Sequence, residues 1–272
     1  MSGNVIDPQS RGARQRTRQL AISEAVMAEG SVRIEQLAER FDISLMTVHR
    51  DLDELEDRGL LRKSRGVATA TSTALVESSD VYRSNRQLAE KELIAHAALE
   101  FIEPGQAIML DDSTTTLHLV PHLHTKTPLT VITNTLTIMN ELRGARGIEM
   151  VGLGGEYFNW CSAFMGRTTV KEIAELRADL FVMSTSAIVD DISFHQRPET
   201  VDVKRAMFES SSRRLLLADS TKFTRRALHG MLPLVDFDAV IVDPGTAADD
   251  VSRLREKGIN VIVARKSAGS RT

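Results

Sequence analysis

Two hydrophobic periods run along this chain, and one gives way to the other near residue 70. Up to that point the apolar positions repeat at helical spacing. In RTRQLAISEAVMAEG, Ile22, Ala25 and Val26 fall on one face, and in RIEQLAERF so do Ile34, Leu37, Ala38 and Phe41. DIS is a tight turn, after which Ser44 is a natural N-cap for a third helix whose apolar positions Leu45, Val48, Leu52 and Leu55 are expected to face the core. LLRKSRGVATA then reads as two short strands around SRG. Three helices followed by a hairpin predict a winged helix-turn-helix over residues 11–70. Residues 71–86, TSTALVESSDVYRSNR, are polar and weakly patterned, as a linker is.

From 87 to 265 the strand-like runs AIML, LTVIT, IEMVGLG, DLFVMST, RLLLAD, DAVIVD and INVIVA mostly alternate with helix-like stretches. Near-continuous apolar strands between helices predict a doubly wound, mostly parallel α/β sheet covered on both faces. Such sheets bind ligands beyond the carboxyl ends of their strands. Those ends read DDSTTT, TNT, LGGEY, STSA, ADSTK and DPGT, all small, hydroxylated, glycine-bearing or charged. Backbone N–H groups at a helix start, with the hydroxyls of Ser113, Thr114, Thr115 and Thr116, suit a phosphate, and Lys204 or Lys222 would supply countercharge. Helix capping explains any one of these loops; six together favour a pocket. Asp111 and Asp112 cannot both face a phosphate, so at least one should bind sugar hydroxyls or cap the helix.

Charge sharpens the reading of the first domain. If the leucine stripe of the third helix faces inward, Met46, Thr47 and Arg50 face outward with His49 on the flank, where the start of a recognition helix meets base edges. Five acids follow in the same helix: Asp51, Asp53, Glu54, Glu56 and Asp57. Glu54 stands four residues from both Arg50 and Arg58, so pairing along the helix surface can occupy it. Arg11, Arg14, Arg16 and Arg18 before the helix, and Arg62, Lys63 and Arg65 after it, would neutralise phosphates and set affinity. Spacing alone also allows an ordinary three-helix bundle with a solvated charged face.

Composition mainly excludes. A net charge of −3 rules out a globally basic protein, and the single cysteine, Cys161, rules out an intrachain disulfide framework or a four-cysteine zinc site. No apolar run is of membrane-spanning length and the start of the chain lacks the apolar core of a signal peptide, so a cytoplasmic protein without a membrane partner is expected. GLGGEY places Tyr157 where a dinucleotide fingerprint needs its third glycine, and there is no Walker loop, so no cofactor is expected. His118, His122 and His124 have metal-like spacing, but Pro121 interrupts the helix; a solvated surface and no metal site are expected. The aromatic group Tyr157, Phe158, Trp160 and Phe164 is read as packing, with a lid as the alternative.

ISLMTVHRDLDELEDRGLLRKSRGVA resembles the amino-terminal signature of the DeoR family of bacterial transcriptional regulators. His49 stands where that family usually has arginine, and Val67 where it has a second wing glycine. EKELIAHAALEFIEPGQAIMLDDSTTTLHLV, LTVITNTLTIMNEL, LGGEY and VDVKRAMFESSSRRLLLADSTKF are similar to its sensor domain, whose fold is like those of ribose-5-phosphate isomerase and glucosamine-phosphate deaminase. The resemblance implies a regulator, most often a repressor, that binds an operator in double-stranded DNA and responds to a small anionic sugar-derived effector. By position it puts effector binding on Asp111, Asp112, Ser113, Thr114, Thr115, Lys204, Asp219 and Lys222; the strand-end reading adds Thr116, Thr133, Asn134, Thr135, Gly154 and Gly155, and the facing of the third helix and the flanking charge put DNA binding on Arg11, Arg14, Ser44, Met46, Thr47, His49, Arg50, Lys63 and Arg65. Ser113 replaces a loop glycine and would be strained if that position needed positive φ. A homodimer or homotetramer through the α/β domain is expected, since one winged helix reads only a short site. The competing readings are a sugar-phosphate isomerase or deaminase using Asp190, Asp191 or Glu199 as base beside Lys204, and an architectural DNA-binding protein with an inert α/β domain.

Overall fold

Residues 11–70, 80–84 and 86–265 are described by a computed structural model, and the chain divides into two compact units between Arg83 and Ser84. The first unit runs α1 (Arg11–Glu29), β1 (Ser31–Arg33), α2 (Ile34–Phe41), α3 (Leu45–Asp57), β2 (Leu61–Ser64) and β3 (Val67–Ala70). Its core gathers Ile22, Val26, Ile34, Leu37, Val48, Leu52, Leu55, Leu60 and Leu61 from every one of the expected apolar stripes. One position departs from the pattern: Leu45 is 48% exposed. Helical side chains lean toward the amino terminus, so a residue in the first position reaches past the end of the packed stripe.

The wing is a three-stranded antiparallel sheet in the order β1, β3, β2. The first strand was not legible: SVR is too short to show a period. Ser64 pairs with Val67 across a two-residue turn in which Arg65 (φ 48°) and Gly66 (φ 78°) are both left-handed, as a type I′ turn requires. Val67 lies in the strand, paired with Arg33, so the missing second glycine leaves the wing intact. Of the expected linker, residues 71–79 and 85 lie outside those described, and Asp80–Ser84 form a short helix, α4.

The second unit begins with α5 (Leu88–Leu99), β4 (Ala107–Leu110), α6 (Thr114–Leu117), a 3-10 helix (Val120–Lys126), β5 (Leu129–Thr133), α7 (Leu136–Leu142) and β6 (Ile148–Gly152). A hairpin of β7 (Glu156–Phe158) and β8 (Ala163–Met165) leads to α8 (Arg167–Ala174) and β9 (Ala178–Ser184). Next come β10 (Ala187–Val189), β11 (Ile192–His195), α9 (Pro198–Glu209), β12 (Ser211–Ala218), β13 (His229–Pro233), β14 (Ala239–Val242), α10 (Ala248–Glu256) and β15 (Val261–Val263). Seven strands form one parallel sheet in the order β15, β14, β12, β9, β4, β5, β6, and each is one of the seven apolar runs. Alternation feeds two cores: Met109 packs on one face, Ile108 and Leu110 on the other. The antiparallel pairings β10–β11–β13 and β7–β8 are additions outside this sheet.

The strand order sets the site. β4 has β5 on one side and β9 on the other, so successive connections leave it in opposite directions and open a crevice beyond its carboxyl end. Asp111 is the next residue.

Candidate DNA-reading face and effector pocket

Helix α3 presents two faces with different work. Val48, Leu52 and Leu55 are buried, while Met46 is 79% exposed and His49 and Arg50 are also exposed. Ser44 caps the helix: its Oγ accepts the N–H of Thr47 at 3.2 Å and lies 2.8 Å from the Thr47 hydroxyl, so the expected base-reading residues stand on a fixed helix start. The acids behind them hold the unit together. Buried Asp51 accepts from Arg18 Nε at 2.6 Å and Nη2 at 3.1 Å, and from Gln19 at 3.2 Å. Glu54 accepts from Gln15 at 2.9 Å and Gln19 at 2.6 Å, with Arg50 Nε at 3.9 Å. Glu56 accepts the backbone N–H of Lys63 at 2.9 Å, and Asp53 pairs with the Lys63 ammonium.

Two of the residues expected to contact phosphates have partners within the unit. Arg18 is committed to Asp51, whose hydrogen bond raises the guanidinium pKa further. Lys63 pairs with Asp53 across α3 and the wing. Arg14 and Arg65 are exposed, Arg65 at the wing turn; the side chains of Arg11 and Arg16 lie outside those described.

In the second unit the loops after β4, β5, β9 and β12 supply the expected polar residues, most of them buried. Asp111 is their hub. Its Oδ1 accepts from Ser113 N at 3.0 Å and Thr116 Oγ1 at 2.7 Å, its Oδ2 from Ser184 N at 2.9 Å and from the Lys204 ammonium. Thr135 Oγ1 donates to the Asp111 carbonyl at 3.2 Å, which joins the β5 loop to the β4 loop. Lys204 also lies 3.3 Å from Asp112 Oδ1 and donates to Ser184 O at 3.0 Å, with 2% of its side chain exposed. The expectation that Lys204 faces a phosphate is corrected, because two carboxylates already neutralise it. Ser113 sits at φ −84° as the N-cap of α6 and accepts the Thr116 N–H at 3.1 Å, so serine is unstrained there.

Asp112 differs from Asp111. Its Oδ2 is buried and has no hydrogen-bond partner among the described residues, and the same holds for Asn134 Oδ1. Asn134 Nδ2 donates to Phe164 O at 2.8 Å, which pins the β7–β8 hairpin over the Thr133–Thr135 loop. Within the hairpin Tyr157 packs on Phe164 with ring centroids 5.3 Å apart, and Phe158 meets Trp160 edge-on at 6.4 Å. Asp219 accepts the Thr221 N–H at 3.1 Å and lies 3.6 Å from Lys222. Burial pushes the Asp219 pKa up, but Lys222, the Thr221 bond, Arg225 and Lys91 outweigh it, and the carboxyl stays below its ordinary value. Gly154 and Gly155 have packing roles instead: the Gly154 N–H donates to Glu172 at 2.9 Å, and a Cβ on Gly155 would fall 2.0 Å from Thr169 Oγ1.

Residues 18–74 match the family model described as the DeoR-like helix-turn-helix domain, and residues 86–244 match the DeoR C terminal sensor domain. The chain belongs to the DeoR family. It is a DNA-binding transcriptional regulator in which the winged helix and the sensor described above are the two family domains. This DeoR-family chain is 32% identical to the transcriptional repressor AccR of Agrobacterium fabrum, over 84% of its own length and 90% of that protein's. To the glycerol-3-phosphate regulon repressor of Escherichia coli it is 31% identical, over 85% and 91%. Its α/β fold is similar to that of ribose 5-phosphate isomerase A from Methanocaldococcus jannaschii, at 13% identity and TM-score 0.36, over 49% of this chain and 53% of that one.

The sensor of this DeoR-family chain also holds a residue that pattern reading passed over. Lys91 on α5 is 3% exposed and donates to Thr114 Oγ1 at 3.0 Å. The signal was present: Lys91, Ile94, Ala95 and Ala98 form one buried stripe, so a lysine occupies a core position of an otherwise apolar face. The histidine expectation needs correction as well. His124 stays on the surface and its Nδ1 bonds Pro121 O, but His118 and His122 turn toward Glu92 on α5, at 3.0 and 2.7 Å. Among the candidate bases of the enzyme reading, Asp191 is held by Arg253 and Lys257. Burial raises its pKa, and those two bonds outweigh burial, leaving it below the ordinary carboxylate value and a poor base at neutral pH.

Proposed function

We propose that the chain is a cytoplasmic, homodimeric or homotetrameric repressor of a sugar or polyol catabolic operon, controlled by a phosphorylated sugar-type effector at the crevice beyond β4, β5 and β12. The observation that carries the reading is the pair of buried, unpartnered acceptors, Asp112 Oδ2 and Asn134 Oδ1. A buried acceptor left unsatisfied costs about 1–3 kcal/mol, and a ligand rich in hydroxyl donors removes that cost on binding. Lys222, which the sequence offers with Lys204 as countercharge, and Lys91 support an anionic group on the same ligand. Similarity to the glycerol-3-phosphate regulon repressor supports a phosphorylated polyol or sugar as the ligand class. The ion pairs of Asp191 support a sensor without turnover.

An effector changes operator affinity only by binding the DNA-competent and incompetent states unequally, and operator must alter effector affinity by the same factor. Calorimetry of the full chain against phosphorylated sugars and polyols, with and without operator, tests this. Asp112→Ala is expected to weaken the compound that binds at least tenfold, about 1.4 kcal/mol, while leaving operator binding in its absence unchanged. Undiminished affinity in that variant would place the effector elsewhere, and turnover of any compound in the panel would favour the enzyme reading. Two reading heads on a repeated half-site are expected to give a dimer or tetramer in sedimentation with operator bound. A single chain per operator would refute the assembly.

A further inference from the structure

The sensor carries a second cluster of chemistry away from Asp112 and Asn134. Glu92 and His96 are four residues apart on α5, and His118 and His122 are four apart where α6 gives way to the 3-10 helix. Four-residue spacing puts Glu92 and His96 on one side of α5, and the turn from α6 into the 3-10 helix brings His118 and His122 onto the same carboxylate. His122 Nε2 lies 2.7 Å and His96 Nε2 3.3 Å from Glu92 Oε1, while His118 Nδ1 lies 3.0 Å from Oε2. The rings of His96 and His122 are 4.4 Å apart. Among the described residues, one group brings donor atoms of three metal-ligating side chains within 4.8 Å of one another: Glu92, His96 and His122. His118 is a fourth donor on the same carboxylate.

We infer that Glu92, His96, His118 and His122 form a binding site for one zinc-class divalent ion. The charge count favours an ion over a simple ion pair: one carboxylate needs one positive charge, yet three imidazoles surround it. A dication neutralises the carboxylate and takes a lone pair from each neutral ring. A tetrahedral ion with ligands at about 2.0–2.2 Å has donor atoms roughly 3.3–3.5 Å apart. The three imidazole nitrogens lie 2.7–3.3 Å from the two oxygens of Glu92; Glu92, His96 and His122 already group within 4.8 Å, the half-exposed Glu92 and His96 have room to rotate, and His118 approaches from the second carboxylate oxygen. Three imidazoles and one carboxylate suit zinc, nickel or copper, whereas magnesium and calcium prefer oxygen ligands throughout. An ion here clamps α5 to the segment that begins with Thr114, Thr115 and Thr116. It thus stiffens a wall of the crevice from outside.

The test uses the full chain with any affinity-tag histidines removed. Zinc titration followed by calorimetry, with metal analysis after dialysis, is expected to give one ion per chain. His122→Ala and Glu92→Gln should each weaken binding by more than the roughly tenfold to hundredfold that losing a group behind a ligand costs, whereas His124→Ala, on the same 3-10 helix but turned to Pro121, should not alter it. Cobalt bound to the unmodified protein should show the visible absorption of a tetrahedral ion with nitrogen ligands, a readout independent of how the variants fold. Less than one ion per chain, an octahedral cobalt spectrum, or zinc affinity indifferent to His122→Ala would overturn the site and leave the cluster as a hydrogen-bonded tie between helices.

Discussion

Lys204→Ala is expected to lower the stability of the sensor domain by about 3–5 kcal/mol, the usual consequence of removing one partner from a buried ion pair. Lys204 holds Asp111 and Asp112 together with 2%, 1% and 2% of the respective side chains exposed, and it also donates to Ser184 O at the end of β9. Alanine would leave two carboxylates facing each other out of water, each short of a partner. The β4 and β9 loops would lose the link on which Thr116, Ser184 and Thr135 depend. The expected phenotype is therefore a sensor that unfolds at lower urea, not a well-folded sensor blind to its effector. Urea unfolding of the full chain at neutral pH gives the answer. A variant with the parent's midpoint that has lost effector binding would show that Lys204 touches the ligand after all.

The second large effect is expected at Arg50. Its side chain is 74% exposed on the outward face of α3, with only a loose 3.9 Å approach to Glu54, and is expected to read a guanine edge bidentately. Arg50→Ala should weaken the operator by about 1–3 kcal/mol, roughly five- to 150-fold, and leave random DNA little changed. Arg65→Ala, at the wing turn, should weaken both alike and reduce the salt dependence, the mark of a phosphate contact. Lys63 is the poorer probe because its ammonium already pairs with Asp53. Equal losses on operator and random DNA for Arg50→Ala would contradict base reading; competition binding at fixed salt measures both.

The fold was legible because its signals are local and repeated. All seven sheet strands stood out as apolar runs, since a parallel strand is buried on both faces. What escaped was short or depended on distant partners. The strands Ser31–Arg33 and Glu156–Phe158 have three residues each, too few to show alternation. The pocket loops could be picked out by their hydroxyls and carboxylates, but not the division of labour between neighbours. Asp111 and Asp112 look alike in sequence, and only the positions of Ser184 and Lys204, more than seventy residues on, make one a hub and leave the other with an open oxygen. His118 and His122 were set aside because Pro121 interrupts their helix. Their partner Glu92 comes from α5, which no local period could reveal.

The acids of α3 have a consequence for how such a regulator diversifies. Asp51 and Glu54 bind Arg18, Gln15 and Gln19, and Asp53 and Glu56 bind the wing, so the adhesive side of this helix is chemically separate from Met46, His49 and Arg50. A substitution on the reading side disturbs little of what keeps the domain folded, and one on the adhesive side says little to DNA. Exchanging the three exposed residues is therefore expected to change operator preference at nearly constant stability.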